Sequence, residues 1–203
     1  MMVCLKSIFS FILTTILGIA LLIFLFFGGI NYIKDNYIAK FYSSEPKVAN
    51  VSKDLGNFSS IPKNYKLTKT IDMFGFNAVL AENSKNKQKM AVVNTGKVLN
   101  ITKKDIQSSD IEIQLKDLAS KIPYQPVNLN KLEVMKKGSF KALNQTIPYV
   151  RVNINLSGKS QSNLEGIIGV VDTPDKKNNL VISVGKSGEY NQKVAEDFFK
   201  KIK

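Results

Sequence analysis

The sequence predicts an α+β protein: an N-terminal single transmembrane helix followed by an antiparallel β-sheet domain packed with two main α-helices. Three observations lead there. Residues 8–30, IFSFILTTILGIALLIFLFFGGI, form a run of 23 side chains without a charge. From Tyr65 to Val184 apolar residues recur largely at period two, in consecutive runs, the pattern of half-buried strands. Two stretches, one after Ser109 and one near the C-terminal end, switch to helical spacing. Strand and helix do not alternate regularly, as a parallel sheet would require.

Residues 1–7 are a short tail carrying Lys6. A helix of 23 residues rises about 34 Å, which spans a hydrocarbon core of about 30 Å with some tilt. A cleaved signal peptide has an apolar region of about 7–15 residues and small residues at its cut site. This run is longer and ends FFGGINYIKD, so residues 8–42 are expected to be an uncleaved anchor with a juxtamembrane extension. Ser10, Thr14 and Gly18 share one helix face, and small residues so placed allow a second helix to approach, giving a homodimer through the anchor. Tyr32, Tyr37 and Tyr42 stand beside Lys34 and Lys40; with Lys6 on the other side, they suit the headgroup level of a bilayer. The lysines flanking the run lean towards a cytoplasmic domain by the positive-inside rule. The layout of a short tail before one long apolar segment leans the other way, as does a domain without cysteine or histidine. We read the domain as extracytoplasmic. Residues 43–60, SSEPKVANVSKDLGNFSS, have few large apolar side chains and read as a flexible linker.

The folded domain is expected over residues 61–203. Tyr65, Leu67, Ile71 and Met73 alternate with Lys66, Thr68, Thr70 and Asp72, with Lys69 as the exception on the apolar side. Residues 74–81 and 89–93 continue as strands around the polar turn 82–88. Next comes a helix, for which Ser109 and Glu112 have the spacing of a capping box and Ile111, Leu115, Leu118 and Ile122 supply the apolar stripe. Pro123 and Pro126 forbid its continuation. Four strands are then expected at 131–136, 147–156, 164–172 and 179–184. In the second, Val150, Val152, Ile154 and Leu156 alternate with Tyr149, Arg151, Asn153 and Asn155. The third contains GIIGVV, apolar on both sides, which places it inside the sheet with cover on each face. Residues 191–202 form the closing helix, with Val194, Ala195, Phe198, Phe199 and Ile202 as its apolar stripe.

Composition narrows the chemistry. The 203 residues carry 29 Lys plus Arg against 16 Asp plus Glu, a net charge of +13, with no histidine and one cysteine. Serine–histidine and cysteine–histidine catalysis and histidine metal sites are therefore excluded. Cys4 precedes the apolar run, and alone it can form neither an intrachain disulfide nor a CxxC pair. The positive charge suits membrane lipid or an anionic envelope polymer. Nucleic acid is disfavoured because Arg151 is the sole arginine, and bidentate phosphate and base contacts favour that side chain.

The motif inventory yields no catalytic, cofactor or metal residue. Gly185-Lys186-Ser187 ends like a phosphate-binding loop, but Leu180 stands where the motif needs its first glycine. Ser183 with Lys186, and Ser84 with Lys87, have S-x-x-K spacing without the companion motifs of a Ser–Lys hydrolase. Asp172 and Asp175 fall short of the oxygens a calcium ion needs and have Lys176 and Lys177 beside them. Glu196 and Asp197 are adjacent on a helix and so do not face each other. Arg151 reads as an exposed solubilising residue, with a clamp for a carboxylate or phosphate as the alternative. Phe74, Phe76, Phe198 and Phe199 read as core, with the lining of a small-ligand or lipid space as the alternative.

The order of elements over 61–203, and above all NLVISVGKSGEY running into QKVAEDFFKKI, resembles the PsbP-like fold. That resemblance implies helices packed on an antiparallel sheet and a non-catalytic accessory or assembly role at a membrane. The expected function is a membrane-anchored binding module of the cell envelope that holds a protein or polymer partner, with a carrier of small apolar ligands or lipid as the alternative.

Overall fold

The computed structural model describes residues 42–43, 55–73, 76–94, 101–120, 127–158, 162–173 and 178–203. The apolar run 8–30, the face of Ser10, Thr14 and Gly18, and the interface residues Lys6, Tyr32, Lys34, Tyr37 and Lys40 lie outside them. No helix of the described residues is long and apolar enough to cross a membrane.

The described chain is one antiparallel sheet of seven long strands, with a two-residue strand added at one margin, and helices on both faces. The strands are β1 (Tyr42–Ser43), β2 (Tyr65–Met73), β3 (Phe76–Asn83), β4 (Lys89–Asn94), β5 (Val127–Ala142), β6 (Gln145–Gly158), β7 (Ser162–Asp172) and β8 (Asn178–Lys186). Their order across the sheet is β1-β2-β3-β4-β8-β7-β6-β5. Two meanders thus meet where β4 pairs with β8. Between β4 and β5 the chain passes from mid-sheet to the far margin through α1 (Lys103–Gln107) and α2 (Ile111–Ser120). The last helix is α3 (Gln192–Phe199). The α+β architecture is as expected.

Side-chain alternation sorts the strands into two cores. Val150, Val152 and Leu156 of β6 pack with Ile106, Ile111 and Leu115 of the first two helices, whereas Tyr149 packs on the opposite face with Phe198 and Phe199 of α3. β7 contributes Val170 to one core and Ile167 and Val171 to the other, so GIIGVV is covered on both sides.

Several local expectations are corrected. Thr70 is buried rather than solvent-facing. Leu67 lies opposite Ala81 and Thr70 opposite Val79, so three steps on β2 face two on β3, and this bulge brings Thr70 to the buried side. β5 runs for 16 residues, not the six at 131–136. Register shifts at Leu129/Lys131 and Val134/Lys136 break its alternation into pieces too short to read. The β5–β6 turn, Leu143-Asn144, has both residues at positive φ (51° and 56°), the conformation of a two-residue hairpin turn usually given to Asn-Gly. Tyr42 lies in β1 opposite Ile71 rather than in the expected helix. The packed body includes residues before Ile61: Leu55 and Phe58, isolated in a polar stretch, are buried in the α3-side core. Asn57 N–H donates to Lys203 O at 2.6 Å, tying this segment to the end of the chain.

The capping box lies elsewhere than expected. It closes α1, where the Asp105 N–H donates to Thr102 Oγ1 at 3.2 Å and the Thr102 N–H donates to Asp105 Oδ2 at 2.8 Å. Ser109 donates to Asp110 instead. Glu112 accepts from Lys116 Nζ at 2.5 Å and, through its other oxygen, from the Val134 N–H at 2.9 Å. It therefore occupies a backbone donor at the bulge of β5, the marginal strand, where an unpaired donor invites pairing with another chain. The Lys116 hydrogen bond first, and that of Val134 second, hold the Glu112 carboxyl below its ordinary pKa. A depressed value means the contact is complete at neutral pH and is lost as pH falls through that value. The Val134 amide is expected to exchange with solvent faster in Glu112→Ala at neutral pH, and in the parent on acidification. Unchanged exchange in the variant contradicts the assignment.

Candidate binding surface

α3 forms because Asn191 caps it, accepting from the Lys193 N–H at 3.0 Å, and because its apolar stripe finds an aromatic seat. Phe198 meets Tyr65 at 5.1 Å and Phe199 at 5.3 Å between ring centroids; Phe199 meets Phe140 at 6.0 Å. Tyr65 donates to Val194 O at 2.7 Å. Phe198 and Phe199 thus fill the core, which favours the packing reading over the lining of a ligand space. Phe74 and the side chain of Phe76 lie outside the described residues.

Below the start of α3 sits a polar cluster. Gln88 is 1 % exposed; its Nε2 donates to Ser183 Oγ at 2.9 Å and to Asn191 O at 3.1 Å, and its Oε1 accepts from the Asn191 N–H at 3.0 Å. One glutamine side chain therefore joins the β3–β4 turn, β8 and the helix start, with its buried polar atoms satisfied. The neighbouring Tyr190 phenol is pushed well above its ordinary pKa by burial, against smaller opposing effects of Ser183 and Arg151.

Arg151 is neither a free solubilising residue nor an open clamp. Its Nη2 donates to Glu165 Oε2 at 2.6 Å, and its Cζ lies 5.7 Å from the centre of the Tyr190 ring. Glu165 also accepts from the Ser187 hydroxyl at 2.9 Å and the Gly188 N–H at 3.4 Å. Ser187 follows Gly185-Lys186 at the end of β8, so the loop that ends like a phosphate cradle wraps a carboxylate of its own chain. Asp172 pairs with Lys103 at 2.8 Å, and Glu196 with Lys200 at 3.5 Å. Among the described residues, no group of three or more His, Cys, Asp or Glu side chains is placed to hold a metal.

The Arg151 hydrogen bond, then that of Ser187, lowers the Glu165 pKa. In Arg151→Ala the Glu165 carboxyl is expected to titrate at higher pH, as followed by NMR. With Arg151 35 % and Glu165 17 % exposed, the variant should lose about 1 kcal/mol of stability at neutral pH. That difference should shrink as pH falls through the depressed value, since acid removes the pair from the parent. An unmoved Glu165 titration contradicts the pairing.

Past Arg151, the face that α3 covers elsewhere continues as a polar flank of β5, β6 and β7. Asn130 donates to Asn155 at 3.0 Å, Asn155 to Asn163 at 2.5 Å, and Ser157 to Asn130 at 2.8 Å. Asn153 reaches Met135 Sδ at 3.2 Å. The opposite face of the same strands carries Leu132, Val152 and Leu156 in the core beneath α1 and α2. This one-sided cover is visible in the sequence as the alternation of β6.

At the β5 margin of the flank stands Met135 (54 % exposed), beside Asn153. The other large apolar side chain left open among the described residues, Ile113 (68 %), belongs to α2, whose Ile111 and Leu115 pack on the opposite face of the sheet. Sequence reasoning missed Met135 because it lies in the register shift between Val134 and Lys136.

The fold and this surface define an α+β domain with an open amide-rich flank beside an apolar margin. No protein-family model matches the chain, and no curated protein matches it.

Proposed function

We propose that the chain is a membrane-anchored, non-enzymatic binding or assembly module of the cell envelope, with its domain on the extracytoplasmic side. The observation that carries this reading is the uncharged run of 23 residues ahead of a separately folded body. The open flank of β5–β7 supports it by offering carboxamide donors and acceptors, with Met135 at its margin, to a protein or anionic polymer of the envelope. The likeness of element order to the PsbP-like fold points to the same kind of role. A homodimer through Ser10, Thr14 and Gly18 would double the surface presented.

Photo-cross-linking groups placed at Met135 and Asn155 in living cells test the partner. They are expected to capture a heterologous partner, whereas one at Lys66 on β2 captures none. No adduct from the flank, or equal adducts from all three, overturns the surface. Protease added outside the anchoring membrane should digest the domain. A domain untouched until that membrane is opened overturns the extracytoplasmic placement.

A further inference from the structure

β5 closes one margin of the sheet, and among the described residues no strand lies on its outer side. Its register with β6 tells which backbone groups point that way. Ala142 and Gln145 flank the two-residue turn Leu143-Asn144, so they form the hydrogen-bonded pair that closes the hairpin. In an antiparallel ladder such pairs alternate with unbonded ones. Phe140 with Ile147, Gly138 with Tyr149 and Lys136 with Arg151 are therefore bonded pairs, and the N–H and C=O groups of Lys137, Ser139 and Lys141 point away from β6. Pro148, which has no N–H, stands opposite Ser139, where this ladder asks for none. Upstream the outer side is guarded, since Glu112 of α2 accepts from the Val134 N–H. Over 137–141 no described residue occupies those three N–H groups, and Ser139 and Lys141 are exposed. Gln107 adds a long contact to Gly138 O at 3.5 Å, which leaves the outward groups open.

The same stretch is positively charged. Lys136, Lys137 and Lys141 have no ion-pair partner among the described residues, whereas Lys131 is paired with Glu133 at 2.9 Å. Lys137 Nζ reaches the carbonyls of Gln107 and Ser108, which are neutral. Of the acids in α1 and the start of α2, Asp105 closes the α1 cap, Asp110 accepts from the Ser109 hydroxyl and Glu112 pairs with Lys116. β6 contains no acidic residue. We propose that the outer side of β5 from Lys137 to Lys141 binds an extended, acidic segment of a partner protein as a ninth strand. Backbone bonds to alternate residues supply the affinity. Carboxylates opposite Lys137 and Lys141, which share a face of the strand, select the partner. A second copy of this strand is disfavoured: two-fold pairing about Ser139 sets Lys137 opposite Lys141 on both sides of the centre, like charge against like. The proposal rests on strand register and charge and does not depend on the anchor.

The test uses the full chain in nonionic detergent and a seven-residue peptide of threonine and valine, with glutamate at its second and sixth positions to match the spacing of Lys141 and Lys137. Threonine and valine favour the extended chain. With peptide present, hydrogen exchange of the Ser139 and Lys141 amides is expected to slow by about tenfold or more. The same peptide with lysine in place of glutamate, or N-methylated at its central residue so that it cannot donate to Ser139 O, should give no slowing. Lys137→Gln and Lys141→Gln should each weaken binding by up to about fivefold. Ser139→Pro removes a donor that a marginal strand can spare, so it should keep the melting temperature of the parent and lose the peptide. Should that variant melt lower, the N-methylated peptide decides alone. Binding that survives N-methylation is charge attraction without strand pairing and overturns the proposal, as does an absence of binding. A Ser139 amide protected without peptide, increasingly with protein concentration, marks a second copy on this margin and overturns it too.

Discussion

Phe198→Ala is expected to unfold about 3–5 kcal/mol more easily than the parent, as measured by urea denaturation. Phe198 is 1 % exposed and lies between Tyr65 of β2 and Phe199 of its own helix. Truncation removes the transfer free energy of a whole aromatic ring and leaves a cavity whose walls come from a sheet that cannot readily collapse. The loss should spread through Tyr65, whose hydroxyl reaches Val194 O, and reach the Leu55–Phe58 segment that packs into the same core. Lys201→Ala, on an exposed residue of the same chain end, should change stability by less than about 0.5 kcal/mol. A loss below about 1 kcal/mol for Phe198→Ala contradicts the account of α3 as an element seated in the core.

Gly166→Ala is the second expected large effect. Gly166 lies in β7 opposite Val184 of β8, and a Cβ there would stand 2.3 Å from the backbone carbonyl oxygen of Ser183. Backbone, unlike a flexible side-chain end, has nowhere to go without opening the ladder. Overpacking of this kind costs about 1–3 kcal/mol, and more where the surroundings are rigid. Because Ser183 also accepts the Gln88 hydrogen bond, the shift should disturb the buried link to Asn191. The expected results are a lowered melting temperature and faster exchange of the amides of β7 and β8. Gly188→Ala provides a contrast: φ is 81° there and nothing lies within 4 Å, so its cost is conformational strain in a turn and should be smaller. Equal melting temperatures for the parent and Gly166→Ala contradict the close approach.

Much of the sheet was legible because its signals are local. β6 could be read from Val150, Val152 and Leu156 against Tyr149, Arg151 and Asn153, and the structure buries the first set in one core and Tyr149 in the other. GIIGVV announced an interior strand by having apolar residues on both sides. The stripe of Ala195, Phe198, Phe199 and Ile202 declared a helix with a seat. What escaped depends on register or on distant partners. The bulge in β2 turns Thr70 inward, and nothing in YKLTKTIDM marks it beyond the lysine out of phase at residue 69. Leu55 and Phe58 are two apolar side chains in a polar stretch, and only the groove beside Ile202 and Leu143 makes them core. Glu112 looked like half of a capping box because its spacing from Ser109 fits, but its partner Val134 lies 22 residues on. The pair of Arg151 and Glu165 is set by the β6–β7 register, which shows only once the strands are laid side by side. The candidate surface was half legible: its asparagines could be seen on the polar face of a strand, but not Met135 at its margin.

The central claim is that residues 8–30 stay in the lipid and hold this body to it. Membranes from cells making the full chain, stripped with alkaline carbonate and floated, test that most directly when the protein they retain is weighed intact. The account predicts a membrane-bound chain that still carries its apolar run. A body recovered in the soluble fraction, beginning after residue 30, would contradict it.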